Sequence, residues 1–188
     1  AATTHYYSVK STLTGAGSNY NNDGATGTNA LAAGPGAKAE TTSSLAIGHN
    51  ARASGPYHAL AIGYDTVTTG ADGTTIGHQL INSGTNSTLI GDMANLSGNQ
   101  SFVAVANGAT KGGYTTISGD DSVVINPEAA QRAYTGTHIV ALGSGALTNG
   151  NFATALGSRS SANAANSVAL GSNSVATTPR NAVGYVPA

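Results

Sequence analysis

One short segment recurs through nearly the whole chain: two β-forming residues alternating with a small one, closed by a glycine. It is S-L-A-I-G at Ser44 to Gly48, A-L-A-I-G at Ala59 to Gly63, V-A-L-G at Val140 to Gly143, T-A-L-G at Thr154 to Gly157 and V-A-L-G at Val168 to Gly171. The closing glycines form two runs, Gly34, Gly48, Gly63, Gly77, Gly91 and then Gly143, Gly157, Gly171, with steps of 14 or 15 residues. A fixed short period is the mark of a solenoid, each repeat one coil stacked on the last. Fourteen residues are too few for a helix pair but enough for two short strands and two turns. The period therefore predicts an all-β stack of parallel strands, a β-roll with coils of about 14 residues.

Within one coil, with the glycine as position zero, position −1 is aliphatic almost throughout and position −3 often is. Residues two apart on a strand share a face. The expected core is therefore Leu45, Ile47, Leu60, Ile62, Ile76, Ile90, Val103, Val105, Val140, Leu142, Leu156, Val168 and Leu170. Positions +3 and +5, such as Ala51 with Ala53 and Ser160 with Ala162, join that interior from the second strand. Position −2 then faces outward, and it is mostly alanine: Ala46, Ala61, Ala104, Ala141, Ala155 and Ala169. An exposed strand would carry Thr, Lys or Glu there, so a wall of alanine predicts the close approach of another copy, with cyclic homo-oligomers the usual solution. Each closing glycine suits a turn requiring positive φ or close backbone passage.

Residues 1–28 carry only weak repeats and are expected to cap the open end of the stack, with His5 to Val9 as a strand. The repeats then occupy 29–119. Residues 120–138 break the register and are expected to be an inserted excursion, with a short helical turn after Pro127. Repeats resume over 139–188 and stop without a cap, which predicts that the parent protein continues.

Composition excludes several classes. Charged residues make up 8% of the 188, against roughly 25% in ordinary soluble domains, and the net charge is −1. Seven scattered Lys and Arg form no basic stripe for nucleic acid. The chain has no cysteine, hence no disulfide or thiol chemistry, and no apolar run long enough to span a membrane as a helix.

Nothing in the motifs points to catalysis or a cofactor. His5, His49, His58, His78 and His138 show neither H-x-x-H nor H-x-x-x-H spacing. His49 and His78 share a turn slot two coils apart, about 9–10 Å by strand spacing and too far to share a metal. Asn22-Asp23-Gly24 and Asp72-Gly73 read as turns, and Asp120-Asp121 is an isolated acidic pair. No G-x-S-x-G elbow or phosphate-cradling loop occurs. Tyr57, His58 and Tyr64 lie at corners where side chains project, and are weak candidates for ligand contact.

The segments Ser44 to Ala53, Phe152 to Ala162 and Asn166 to Ala176 resemble the head repeats of trimeric autotransporter adhesins of the YadA-like type. That resemblance implies a left-handed parallel β-roll and a homotrimer packed about a common axis. It also implies display on a Gram-negative cell surface, anchored to the outer membrane by a C-terminal segment outside this chain. Heads of this kind bind collagen, fibronectin or laminin and promote autoaggregation. The competing readings are a structural or phage-type fibre without adhesive role and, less favoured, an ice-binding solenoid. An ice-binder needs a T-x-T ladder, and at +3 and +5 only Thr66 and Thr68 comply. A six-residue left-handed β-helix acyltransferase does not fit the longer period.

Overall fold

The computed structural model describes residues 9–106, 113–125 and 133–178. Over these the chain forms a parallel β-solenoid of about ten coils, and every named strand pair is parallel. Each coil lays one strand on each of two faces. The first face runs through Leu31–Ala33, Leu45–Ile47, Leu60–Tyr64, Thr74–Asn82, Thr88–Leu96, Phe102–Val105, Val123–Ile125, Val140–Leu142, Thr154–Leu156 and Val168–Leu170. Ten such rungs at strand spacing make a stack roughly 43 Å long. The second face carries two- and three-residue strands such as Lys38–Ala39, Arg52–Ala53 and Thr115–Ile117. Thr74–Asn82 and Thr88–Leu96 run unbroken around the glycine corner, so both faces join in one 15-stranded sheet. A separate three-stranded sheet, Leu147–Thr148, Ser161–Ala162 and Val175–Ala176, closes the second face of the last coils.

The closing glycines do what their spacing predicts. All eight have φ between +103° and +145°. A Cβ on Gly48, Gly63, Gly77 or Gly91 would strike the carbonyl oxygen of the residue stacked on it in the next coil. A second ladder stands at the opposite corner, Gly55, Gly70, Gly84, Gly98, Gly119, Gly136 and Gly150, again with a carbonyl from the adjacent coil where a side chain would lie. Each coil also turns on two residues in the left-handed region. One slot, two residues past the closing glycine, holds Asn50, Asp65, Gln79, Met93, Arg159 and Asn173. The other, five residues before it, holds Asn29, Ser43, His58, Asp72, Asn86, Gln100, Asp121, His138, Phe152 and Asn166. Asn and Asp dominate because their short side chains tolerate this conformation.

The interior reverses one expectation. Positions −1 and −3 do share a face, but it is the outer one: Leu31 is 55%, Leu142 44% and Leu170 72% exposed. Leu45, Leu60, Ile62, Ile76, Val140 and Leu156 are half-buried, and Ile47, Ile90 and Val168 exposed. Ala46, Ala61, Ala141, Ala155 and Ala169, expected on the outside, are 0–2% exposed and line the roll's interior. The reason is thickness. A 14-residue coil folds its two strands so closely that positions −4, −2, +3 and +5 all point into a thin slab. Alanine, serine and threonine fill that slab, and Leu or Ile at every −2 would overpack it. Large aliphatics are consequently turned outward. The inward assignment of +3 and +5 holds, with Ala37, Ala39, Ala51, Ala53, Ala94, Leu96 and Ala162 all buried.

The middle coils fix the exceptions. Gly91 pairs with Val105, so Val105 occupies the glycine slot, and Val103 stacks between Leu89 and Val124 in the inner column. Val103 and Val105 are therefore buried as expected, whereas Ala104 lies outward beside Ile90 and Ile125. Ile117 belongs to the second face, in line with Leu96 and Tyr134. Residues 120–125 and 133–138 are not an excursion: Val123–Ile125 pairs with Phe102 to Ala104 on one side and Val140–Leu142 on the other. In the two long coils more residues separate the first-face strand from the second-face strand than elsewhere, Val105 from Thr115 and Ile125 from Ala133, and the closing glycine is replaced by Val105 and Asn126. The helical turn expected after Pro127, the repeat at Asn181 to Gly184 and all but Val9 of the strand expected at His5 to Val9 lie outside the described residues, and Val9 itself is not in a strand.

Among the described residues large side chains enter the slab here: Leu80, Leu89, Leu96, Val103, Val105, Ile117, Val124, Tyr134 and Ile139 form one cluster with Ala94 and the alanines of the last coils. Tyr134 lies flush in it and its hydroxyl donates to the Ala146 carbonyl at 2.7 Å. An all-alanine cluster, Ala37 to Ala61, fills the first coils. Between the two lie Thr66, Thr68, Thr75 and Asn82, all buried. Asn82 Nδ2 donates to the Thr74 and Ser87 carbonyls at 3.1 and 3.0 Å, and its Oδ1 accepts from Gly84 N–H.

At the start of the stack Asn19 stands in for a strand. Its Nδ2 donates to the Ala32 and Gly34 carbonyls at 3.2 and 3.3 Å, while its Oδ1 accepts from Gly24 N–H. Carbonyls on the edge of the first rung thereby gain partners that an open solenoid end would leave to water.

Candidate interaction surfaces

Three surfaces result from this cross-section. The broadest is the outward face of the first strands. Because pairing is in register, Leu31, Leu45 and Leu60 stack in one column, and Ile47, Ile62, Ile76 and Ile90 in the next. Phe102, Val123, Val140 and Val168 extend the first column; Ile125, Leu142, Leu156 and Leu170 the second. Only threonines at 74, 88 and 154 and alanines at 33 and 104 interrupt the stripe. Monomeric proteins rarely expose a contiguous apolar strip over their full length.

The second surface is the glycine corner. There Tyr64 is sandwiched between His49 and His78, each ring centroid 5.3 Å from its own. His78 Nδ1 meets Asp92 Oδ1 at 2.6 Å, which extends the ladder by one coil. The histidines two coils apart are thus bridged by an aromatic ring. In the adjacent slot Asn50 Nδ2 donates to Asp65 Oδ1 at 2.9 Å. The Asp65 carboxylate pushes the Tyr64 phenol above its ordinary range, first by its charge and then as a hydrogen-bond acceptor, with desolvation adding to both. Asp65→Asn is expected to bring the Tyr64 phenol back toward the usual tyrosine range. Ultraviolet titration of the wild type and variant reads this directly, and identical curves would rule out the assignment.

The third surface is the opposite edge, which carries Tyr57 and His58. The 15-residue coil places its extra residue between Gly55 and His58, and this projects Tyr57, 60% exposed. The Tyr57 and His58 rings are 6.4 Å apart and tilted. His58 Nδ1 meets Asp72 Oδ1 at 2.7 Å. Further along, His138 Nε2 lies 3.4 Å from Asp121 Oδ2 and its ring stacks on Phe152 at 4.6 Å. The three candidate contact residues are therefore not one site: Tyr57 and His58 share one edge, and Tyr64 sits on the other. Phe152 was not among the expected residues, although its place five before Gly157, where Asn29, Asp72, Asn86, Asp121 and Asn166 stand in other coils, is visible in the sequence. No group of three or more metal-binding side chains occurs among the described residues. A cavity of about 270 Å³ lies between the N-terminal segment and the first coil, lined by Val9, Leu13, Tyr20 and Pro35 among others.

The repeat unit itself matches a known family. The YadA head domain repeat matches residues 25–51, 42–57, 135–160, 149–174 and 162–179, on both sides of the two long coils. Residues 25–57 and 135–179 are YadA-like head repeats. Among curated proteins none matches it. The YadA-like head is a non-enzymatic kind of module, and its family points to an adhesin-like role at a bacterial surface. The matched segments contain Ala32-Ala33-Gly34, Ala46-Ile47-Gly48, Ala141-Leu142-Gly143, Ala155-Leu156-Gly157 and Ala169-Leu170-Gly171, each with alanine at −2 and glycine at zero, whereas Ala61-Ile62-Gly63 has the same pattern outside them.

Proposed function

We propose that the chain is the head of a homotrimeric surface adhesin whose three rolls pack their first-strand faces about a common axis. The outward stripe of large apolar side chains, which runs the length of the first face with few interruptions, carries this reading. Burying one such Leu or Ile contributes about 1.5–3 kcal/mol, and each coil repeats the contact. An identical chain in the same register offers the matching stripe, so a closed cyclic assembly covers every copy. This replaces the alanine column as the subunit-facing surface. The number three comes from the family.

The assembled head presents three copies of each lateral edge, an arrangement suited to many weak contacts acting together. Its ligands in this reading are extracellular-matrix proteins of the collagen, fibronectin or laminin kind, with head-to-head contact between cells giving autoaggregation. In the full-length protein a C-terminal anchor in the outer membrane of a Gram-negative cell would hold it at the surface. Sedimentation tests the stoichiometry, and solid-phase binding of the assembled head to the three matrix proteins tests the adhesion. A trimer that binds none of them at micromolar concentration would be a structural fibre instead.

A further inference from the structure

The edge bearing His58 has an order of residues that packing does not require. Successive coils place there His58, Asp72, Asn86, Gln100, Asp121, His138 and Phe152, all exposed and all in the left-handed region. Tyr57 stands beside the first and Phe152 forms the last, so aromatic rings bracket a run of carboxylates, amides and imidazoles. Seven rungs at strand spacing span about 29 Å. Phe152 is the odd member. Its φ is 58°, a conformation asparagine adopts at less strain, and although its ring stacks on His138 it remains 56% exposed. The His–Asp contacts at 2.7 and 3.4 Å tie neighbouring coils together and orient the imidazoles.

We propose that this edge binds a linear, uncharged 1,4-linked polysaccharide, with one sugar ring opposite each coil. Carboxylate, amide and imidazole groups together supply the donors and acceptors that sugar hydroxyls need, while exposed aromatic faces suit the apolar face of a pyranose. An extended 1,4-linked pyranose chain advances by nearly the same step as the coils. An extended peptide, at about 3.3 Å per residue, falls out of step within a few rungs. Charge selects further: Asp72, Asp120 and Asp121 lie on this edge and no Lys or Arg does among the described residues, so a sulfated or uronic-acid chain is repelled. The inference deepens the adhesin reading by naming a ligand for one surface, and does not depend on adhesion to matrix proteins.

The test titrates the purified protein with cello- and xylo-oligosaccharides from disaccharide to octasaccharide. Affinity is expected to rise with length and level off near the heptasaccharide. Asn86→Gly removes a side chain without backbone strain and is expected to weaken binding about fivefold. Phe152→Asn, which installs the residue found at Asn29 and Asn166, is expected to weaken it about tenfold. Tyr64→Ala on the far corner should change nothing. Circular dichroism of each variant verifies the fold. No binding at millimolar sugar, affinity independent of length, equal loss with Tyr64→Ala, or preference for heparin would each overturn the proposal. Because soluble sugars are measured on the isolated protein, its failure is separable from a failure of matrix adhesion.

Discussion

A head carrying both Ile62→Asp and Ile90→Asp is expected to sediment as a monomer where the wild-type chain sediments as a trimer. Both side chains point away from the roll, Ile62 paired with Ile47 and Ile76, Ile90 paired with Ile76. Neither change therefore disturbs the alanine interior, and the monomer should keep its β-sheet circular dichroism. A carboxylate forced into an apolar interface costs several kcal/mol unless paired, and in the proposed trimer each new charge would stand near its own copies. The control is Ile81→Asp. Ile81 is 43% exposed but stands on the second face, in line with Val67 and Asn95. It should leave the assembly intact. Dissociation by Ile81→Asp alone would move the interface to that face, and a monomeric wild type would remove the oligomer altogether.

The second large effect is expected from one methyl group. Gly77→Ala should lower stability by about 3 kcal/mol or more, in the class of severe backbone substitutions. Its φ of +145° is a region that L-residues avoid, and the new Cβ would run into the carbonyl oxygen of Gly91 and within 3.0 Å of Leu80 Cδ1. Neither neighbour can yield easily, because Gly91 is held in the ladder and Leu80 in the core. Gly171→Ala is the contrast: φ is +103° but no atom of the described residues lies within 4 Å of the added one. Backbone strain without the clash, about 1–3 kcal/mol and less than for Gly77→Ala, is expected there. Urea midpoints of the two variants decide it, and equal shifts would mean that close stacking is not what the glycines serve.

Periodicity revealed the coil, and strand parity put −1 with −3 and set −2 against them. It could not say which set faces in. The usual rule sends the larger apolar group inward, and it fails in the coils of Ala46 and Ala61, where both strands turn small residues inward and pack close, while the equally short coils of Leu89 and Val103 take large ones. A signal for this was present in the +3 and +5 positions, which are as small as −2 and must face it. Val123–Ile125 was also legible: Asp121-Ser122-Val123-Val124-Ile125 follows Asn166-Ser167-Val168-Ala169-Leu170 position for position. Only the missing glycine at 126 hid it. The second glycine ladder escaped notice because Gly55, Gly70 and Gly84 sit among Ser- and Thr-rich corners that look like ordinary loops. Of the lateral edges, sequence gave Tyr57, His58 and Tyr64 as projecting residues, yet it could not show that an odd-length coil turns the first two away from the third.

Stacking with one rule per coil has a consequence for how such a molecule changes over generations. Since Ala141, Ala155 and Ala169 are interchangeable, as are Gly143, Gly157 and Gly171, losing or duplicating one unit heals its own seam. Reach from the cell can then be lengthened or shortened in increments of about 4.8 Å, without inventing a new contact.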